Sequence, residues 1–352
     1  MQLVIDIMNR KSNFELLRLI LMLMIVVHHC IVIGLGLEGL SPQYACEMTL
    51  ISDDVPLMLL INSFCIIAVN VFVLMSGYFT IKARPGKILN LLFAIYFYTV
   101  LFTTIPLVFH NNIIDGIIKL DFFSQQSNYW FMREYFILML FSPLLNYGIQ
   151  NYSQRACLLF IIGQIFVACY LGFIFGRSVN QNGYNFVNFI LLYSIGGYLR
   201  KYTITKMNKS WGLVYVVLSL ITAMMCIYFF NRGANEAAWK LTYYNNPIII
   251  MASIALFLFF KSVKIQNKCI NKIAQSSLSI YLFGCSTMIL QNTSDITKDL
   301  YTKYANDKWE FGIILITISL VTALLAIVID QLRLYLWKWI ESKILKISSK
   351  IL

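Results

Sequence analysis

Residues 16–37 read LLRLILMLMIVVHHCIVIGLGL. A helix needs about 20 mainly apolar residues to cross a ~30 Å hydrocarbon core, and this run supplies them. It is too long for the core of a cleaved signal peptide and has no small-residue cleavage site, so it reads as a first transmembrane helix that stays. Nine further apolar runs follow, at approximately 57–81, 88–109, 129–149, 156–175, 185–199, 211–230, 246–260, 273–291 and 311–329. The sixth and eighth of the ten are short. Composition agrees: 59% of the 352 residues are hydrophobic and only 12% charged, about half the charged share of a soluble domain. These values exclude a disordered chain, a disulfide-rich secreted module and a soluble enzyme. The expected fold class is all-α, a polytopic membrane helix bundle of about ten transmembrane helices forming one domain over 1–352.

Basic residues orient the bundle. Nineteen Lys and Arg fall in the segments that share a side with the N-terminus, against seven on the opposite segments, with Arg18 and Arg133 inside spans. The bias alternates segment by segment, so both termini are expected in the cytoplasm. The +12 net charge then lies along the cytoplasmic rim, facing membrane lipids and any anionic cytosolic substrate, and implies no nucleic acid. The eight cysteines include no CxxC pair; most lie inside apolar runs as small packers, with Cys269 in a basic and Cys46 in an acidic loop. Three histidines, His28, His29 and His110, are too few and scattered for a metal site.

Ionisable groups within a span are costly and therefore functional candidates. The first helix holds most of them: Glu15, Arg18, His28 and His29. Arg18 and His29 are eleven residues apart, close to three turns, so they share a face about 16 Å apart along the axis. Glu15 can pair with Arg18 at i,i+3, while His28 is rotated by about 100°. On spacing alone, this pattern serves equally as a snorkelling guanidinium plus a helix–helix hydrogen bond.

The order of motifs resembles one family. Asn13-Phe-Glu-Leu-Leu-Arg18, ten residues, then His29 is similar to the Arg/His signature of the acyltransferase-3 family of integral membrane acyltransferases, most like its polysaccharide O-acetyltransferase branch. The segment Asn70-Val-Phe-Val-Leu-Met-Ser76-Gly77-Tyr78 resembles its second-helix signature. Tyr129-Trp130-Phe131 with Tyr135, Ser142-Pro143 and Asn146 is similar to its Trp-centred helix. Gly196-Gly197-Tyr198-Leu199-Arg200 and Ser279-Ile-Tyr281-Leu282 also fit. The chain departs from the pattern twice. Glu134 stands one place before the usual acidic position, which Tyr135 fills, and Gly284 replaces a late-helix His that relatives often carry.

The resemblance implies acyl transfer from a cytoplasmic acyl-CoA, usually acetyl-CoA, to a hydroxyl of a cell-surface glycan or its lipid-linked precursor, in a bacterial cytoplasmic membrane and with no metal. His29 would take the acceptor proton, since a neutral imidazole is the usual base near pH 7. Arg18 suits the phosphates of CoA because guanidinium binds phosphate bidentately, and Lys82, Arg84 and Lys87 would extend that site or serve only as topology determinants. Asn70, Ser76 and Tyr78 are candidate oxyanion donors or packing residues. Trp130, Tyr135 and Tyr281 are candidates for substrate or structural support. A transporter or flippase of glycan intermediates is the alternative, but the repeat symmetry and paired broken helices expected of one are not visible.

Overall fold

A computed structural model describes residues 11–44, 47–124, 128–180, 182–202, 208–304 and 308–351. Cys46 lies outside them, as do Arg10 and Lys206, two of the nineteen basic residues counted on the side of the N-terminus. The described chain is helical, with no strand. Its principal helices are α1 (Ser12–Gly34), α2 (Ser52–Phe79), α3 (Pro85–Phe109), α4 (Trp130–Asn151), α5 (Gln154–Ile174), α6 (Phe186–Tyr202), α7 (Trp211–Asn231), α8 (Pro247–Ser262), α9 (Lys268–Gly284), α10 (Thr287–Tyr304) and α11 (Lys308–Ile351).

Each apolar run of the sequence is thus helical. Among the described residues, six helices are long and apolar enough to cross a membrane, or seven if α9 and α10 form one broken span. The outside of the bundle is apolar, unlike that of a soluble protein. Leu159, Leu213, Leu324 and Val328 are each more than 60% exposed, while Asn62, Asn70, Asn188 and Asp330 are wholly buried. An apolar exterior around a core that also holds buried polar side chains fits lipid as solvent, where only backbone bonded within its own helix can face outward.

Residues 273–291, expected as one crossing, form a bend instead. α9 and α10 meet at 78° across Cys285 and Ser286. The cause is composition: α10 carries Asp295, Lys298, Asp299 and Lys303, which would be expensive in hydrocarbon. α10 is tied to the start of α2, where Tyr301 Oη donates to Asp54 Oδ2 at 2.7 Å and accepts from Ile51 N at 3.2 Å.

α2 and α6 meet backbone to backbone. A Cβ added at Gly77 would lie 2.0 Å from the Tyr193 carbonyl oxygen, and one at Gly196 would lie 2.1 Å from that of Leu74. Apolar attraction between helices is weak in lipid, so close approach through small residues supplies the packing energy. This seam sets α2 against α1, and α1 carries the Arg and His.

Candidate active site

α1 is α-helical from Ser12 to His29 and then widens into a π turn over Cys30–Gly34, a device that recurs at functional sites. Its first turn is locked by polar bonds. Asn13 Nδ2 donates to Phe260 O at 2.8 Å, and Ser12 Oγ accepts from Asn267 N at 2.9 Å. Arg18 Nη1 stands 3.2 Å from both carboxylate oxygens of Glu15. Glu15 is buried, whereas the Arg18 side chain keeps 35% exposure. The guanidinium therefore retains donors for an arriving anion. Tyr135 of α4 lies within electrostatic reach of Arg18, and its Oη is 3.2 Å from Ser76 Oγ of α2.

Further along α1, His28 and His29 both line a cavity of about 210 Å³. The cavity wraps the end of the helix and takes in both rings, whose centroids are 5.6 Å apart. Their partners separate them. His28 Nδ1 is 2.7 Å from Asn62 Oδ1 in a buried bond, which commits that ring to α2. His29 Nδ1 lies 3.8 Å from Cys285 Sγ at the α9–α10 bend, a weak thiol partner and the only one its ring has among the described residues.

The walls are aromatic. Trp130 packs against Tyr184 and Tyr244 at centroid distances of 4.6 and 5.7 Å, and Tyr44 meets Trp239 edge-on at 5.9 Å. Tyr281 and Glu38 complete the polar lining. The Tyr281 hydroxyl and Trp239 Nε1 are buried without a hydrogen-bond partner among the described residues.

The candidates of the sequence thus separate into groups. His29, Trp130 and Tyr281 share the cavity. Arg18, Glu15, Ser76 and Tyr135 form a second cluster nearer the start of α1. Asn70 is structural: wholly buried, it donates to Tyr244 O at 2.8 Å and pins a cavity wall. Tyr78 packs among Phe14, Phe79 and Phe257. Lys82 and Arg84 are exposed in the turn before α3, and Lys87 lines a different cavity with Asn90, Gln275, Asp330 and Arg333. Glu134 accepts from Phe186 N at 2.9 Å and from Arg133 Nε at 3.0 Å, so its role is to cap α6.

Sequence reasoning missed Glu38, Tyr44, Tyr184, Trp239 and Tyr244, which arrive on loops and short turns without periodicity. It also passed over Asp330 and Arg333. Their buried pair (Arg333 Nη2 to Asp330 Oδ2, 3.1 Å) accepts Tyr98 Oη at 3.2 Å, and an aspartate at the end of an apolar run was signal enough.

No curated protein and no solved structure matches the chain. A family profile described as an acyltransferase domain matches residues 11–330, a stretch containing the Arg18 cluster, the histidine cavity and their supporting helices. The chain belongs to the acyltransferase-3 family and is a membrane acyltransferase.

Proposed function

We propose that the protein transfers an acetyl group from cytoplasmic acetyl-CoA to a hydroxyl of a cell-surface polysaccharide or of its lipid-linked precursor, in a bacterial cytoplasmic membrane. The observation that carries this reading is one helix bearing a partly open guanidinium and, three turns on, an imidazole facing an aromatic-lined cavity. Such a helix suits an anionic donor at one end and a sugar at the other. Arg18 holds a phosphate group of CoA while Glu15 fixes its rotamer. The acceptor hydroxyl oxygen attacks the thioester carbonyl. His29 takes the hydroxyl proton as the C–O bond forms, and returns it to the CoA sulfur as the C–S bond breaks. With Nδ1 toward Cys285, Nε2 is the nitrogen left for that proton. The Tyr281 hydroxyl, buried in the cavity lining without a well-formed bond, is the donor proposed for the developing oxyanion.

A general base contributes typically 10²–10⁴-fold. His29→Ala should therefore reduce ester-linked acetate on the glycan by at least about 100-fold at matched expression and insertion. His28→Ala should cost much less in turnover, its loss falling on stability through the Asn62 bond. Substantial acetylation by His29→Ala, or equal loss in both variants, would remove His29 as the base.

A further inference from the structure

The inner end of the cavity is occupied by the histidines, but its outer wall is built from segments outside the long helices. After the π turn, the chain reverses at Gly36, whose φ is +73° and where a Cβ would meet the Glu47 carbonyl oxygen at 2.5 Å. Only glycine suits both demands. The reversal starts a 3₁₀ turn, Leu37–Leu40, in which Leu37 and Leu40 are buried on one side because residues i and i+3 eclipse. Glu38, between those anchors, lines the cavity. A second short helix, Asn235–Lys240, delivers Trp239 to the same wall.

Three polar groups of this wall are spare. No hydrogen bond or ion pair holds the Glu38 carboxylate among the described residues, although burial pushes its pKa upward. The indole N–H of Trp239, 3% exposed, stands near the Tyr44 hydroxyl but makes no well-formed bond, and the Tyr281 hydroxyl of α9, 4% exposed, stands near Cys285 in the same way. No lysine or arginine lines the cavity. The nearest in sequence, Lys240, turns away to donate to Ile174 O at 3.3 Å and to sit over the Phe173 ring. Glu38 is therefore a half-buried acceptor free for donors, in a cavity with no lysine or arginine among its described lining to neutralise a second anion.

We infer that Glu38, with Trp239, forms the acceptor subsite for one uncharged sugar ring and excludes ring-borne carboxylates and phosphates. This rests on the proposed sugar acceptor for its place in the reaction. A pyranose matches the lining. Its apolar C–H face covers an indole or phenol ring, as amphipathic aromatics favour. Two neighbouring hydroxyls donate to the two oxygens of Glu38, bonds to a charged acceptor that are stronger than neutral ones. The indole N–H, which has no well-formed bond of its own, donates to a third oxygen. A uronate ring would instead bring a second carboxylate against Glu38 where no lysine or arginine of the described lining stands to offset it, so rejection comes from repulsion rather than shape.

The test reads binding separately from transfer. Wild-type protein in lipid nanodiscs is titrated with the methyl glycosides of glucose, galactose and mannose and with the matching methyl uronates, following tryptophan fluorescence. Protein with Trp239→Phe controls for the reporter. At least one neutral glycoside should bind at least about 10-fold more tightly than its uronate. Glu38→Gln should weaken the neutral sugar about 10-fold or more and bring the neutral-to-uronate ratio toward one. Equal binding of both classes to wild type, an unchanged ratio in Glu38→Gln, or no binding of any glycoside would each overturn the assignment. His29→Ala should keep the binding preference intact. If the preference holds while no variant or wild type releases CoA thiol from acetyl-CoA with the bound sugar, the proposed transfer fails and the sugar subsite stands.

Discussion

At the scale of single residues, the bond geometry of Arg18 decides between a snorkelling cation and a donor-binding group. A snorkelling arginine needs only charge and length, so lysine would replace it at little cost. A phosphate clamp needs the planar fork, which lysine lacks. Arg18→Lys should therefore raise the apparent dissociation constant for acetyl-CoA on the order of tenfold, with insertion unchanged because the ammonium still pairs with Glu15. Unchanged affinity in purified protein would reduce Arg18 to a topology signal. The Arg18 and His29 positions were legible because both lie on one helix, where 3.6 residues per turn translates spacing into geometry. Glu38 and Trp239 were not: they are 201 positions apart in the chain and meet only because two short turns fold over the same end of the bundle. Their signal, a lone carboxylate and a lone indole in polar connectors, is the same as that of any loop.

At the scale of elements, the α2–α6 seam connects packing to the donor cluster. Ser76 Oγ donates to Phe72 O at 2.9 Å and meets Tyr135 Oη, one residue before the glycine that sets the helix separation. A methyl group at Gly77 cannot fit against the Tyr193 backbone, which has no flexible end to move, so the helices must part. Overpacking of this kind costs about 1–3 kcal/mol. Gly77→Ala should lower the thermal midpoint of the detergent-solubilised protein and also weaken acetyl-CoA, because the shift reaches Tyr135 beside Arg18. A normal midpoint would show that α6 moves freely and that the seam is soft. The helices themselves were legible from apolar length, since a bilayer admits few other solutions. The bend at Cys285 was not. The apolar run 273–291 ends before the four charges that α10 carries within nine residues, Asp295 to Lys303, so its hydropathy shows no break at Cys285, and the bend is what places Cys285 beside His29.

At the scale of the whole molecule, the proposed transfer has its two substrates entering from opposite faces, and α1 sets the distance between them. Arg18 and His29 are separated by about 16 Å along the axis, roughly half the ~30 Å hydrocarbon core. A donor held at Arg18 on the cytoplasmic side thus presents its thioester near mid-membrane. There the cavity that begins at His29 opens toward Glu38, Tyr44 and Trp239. This arrangement works only if the Gly36–Ser52 connector lies opposite the face that carries the basic residues before α3 and after α6. A reporter fused at the C-terminus and another inserted between Tyr44 and Ser52 should then report opposite sides, cytoplasmic and external respectively. Glycan acetylation should survive the C-terminal fusion and be lost with the inserted one, which crowds the cavity mouth. Reporters on the same side would separate the basic rim from the donor face. The acetyl group would then have no membrane to cross, and the Arg18–His29 spacing would need an explanation other than transfer across the bilayer.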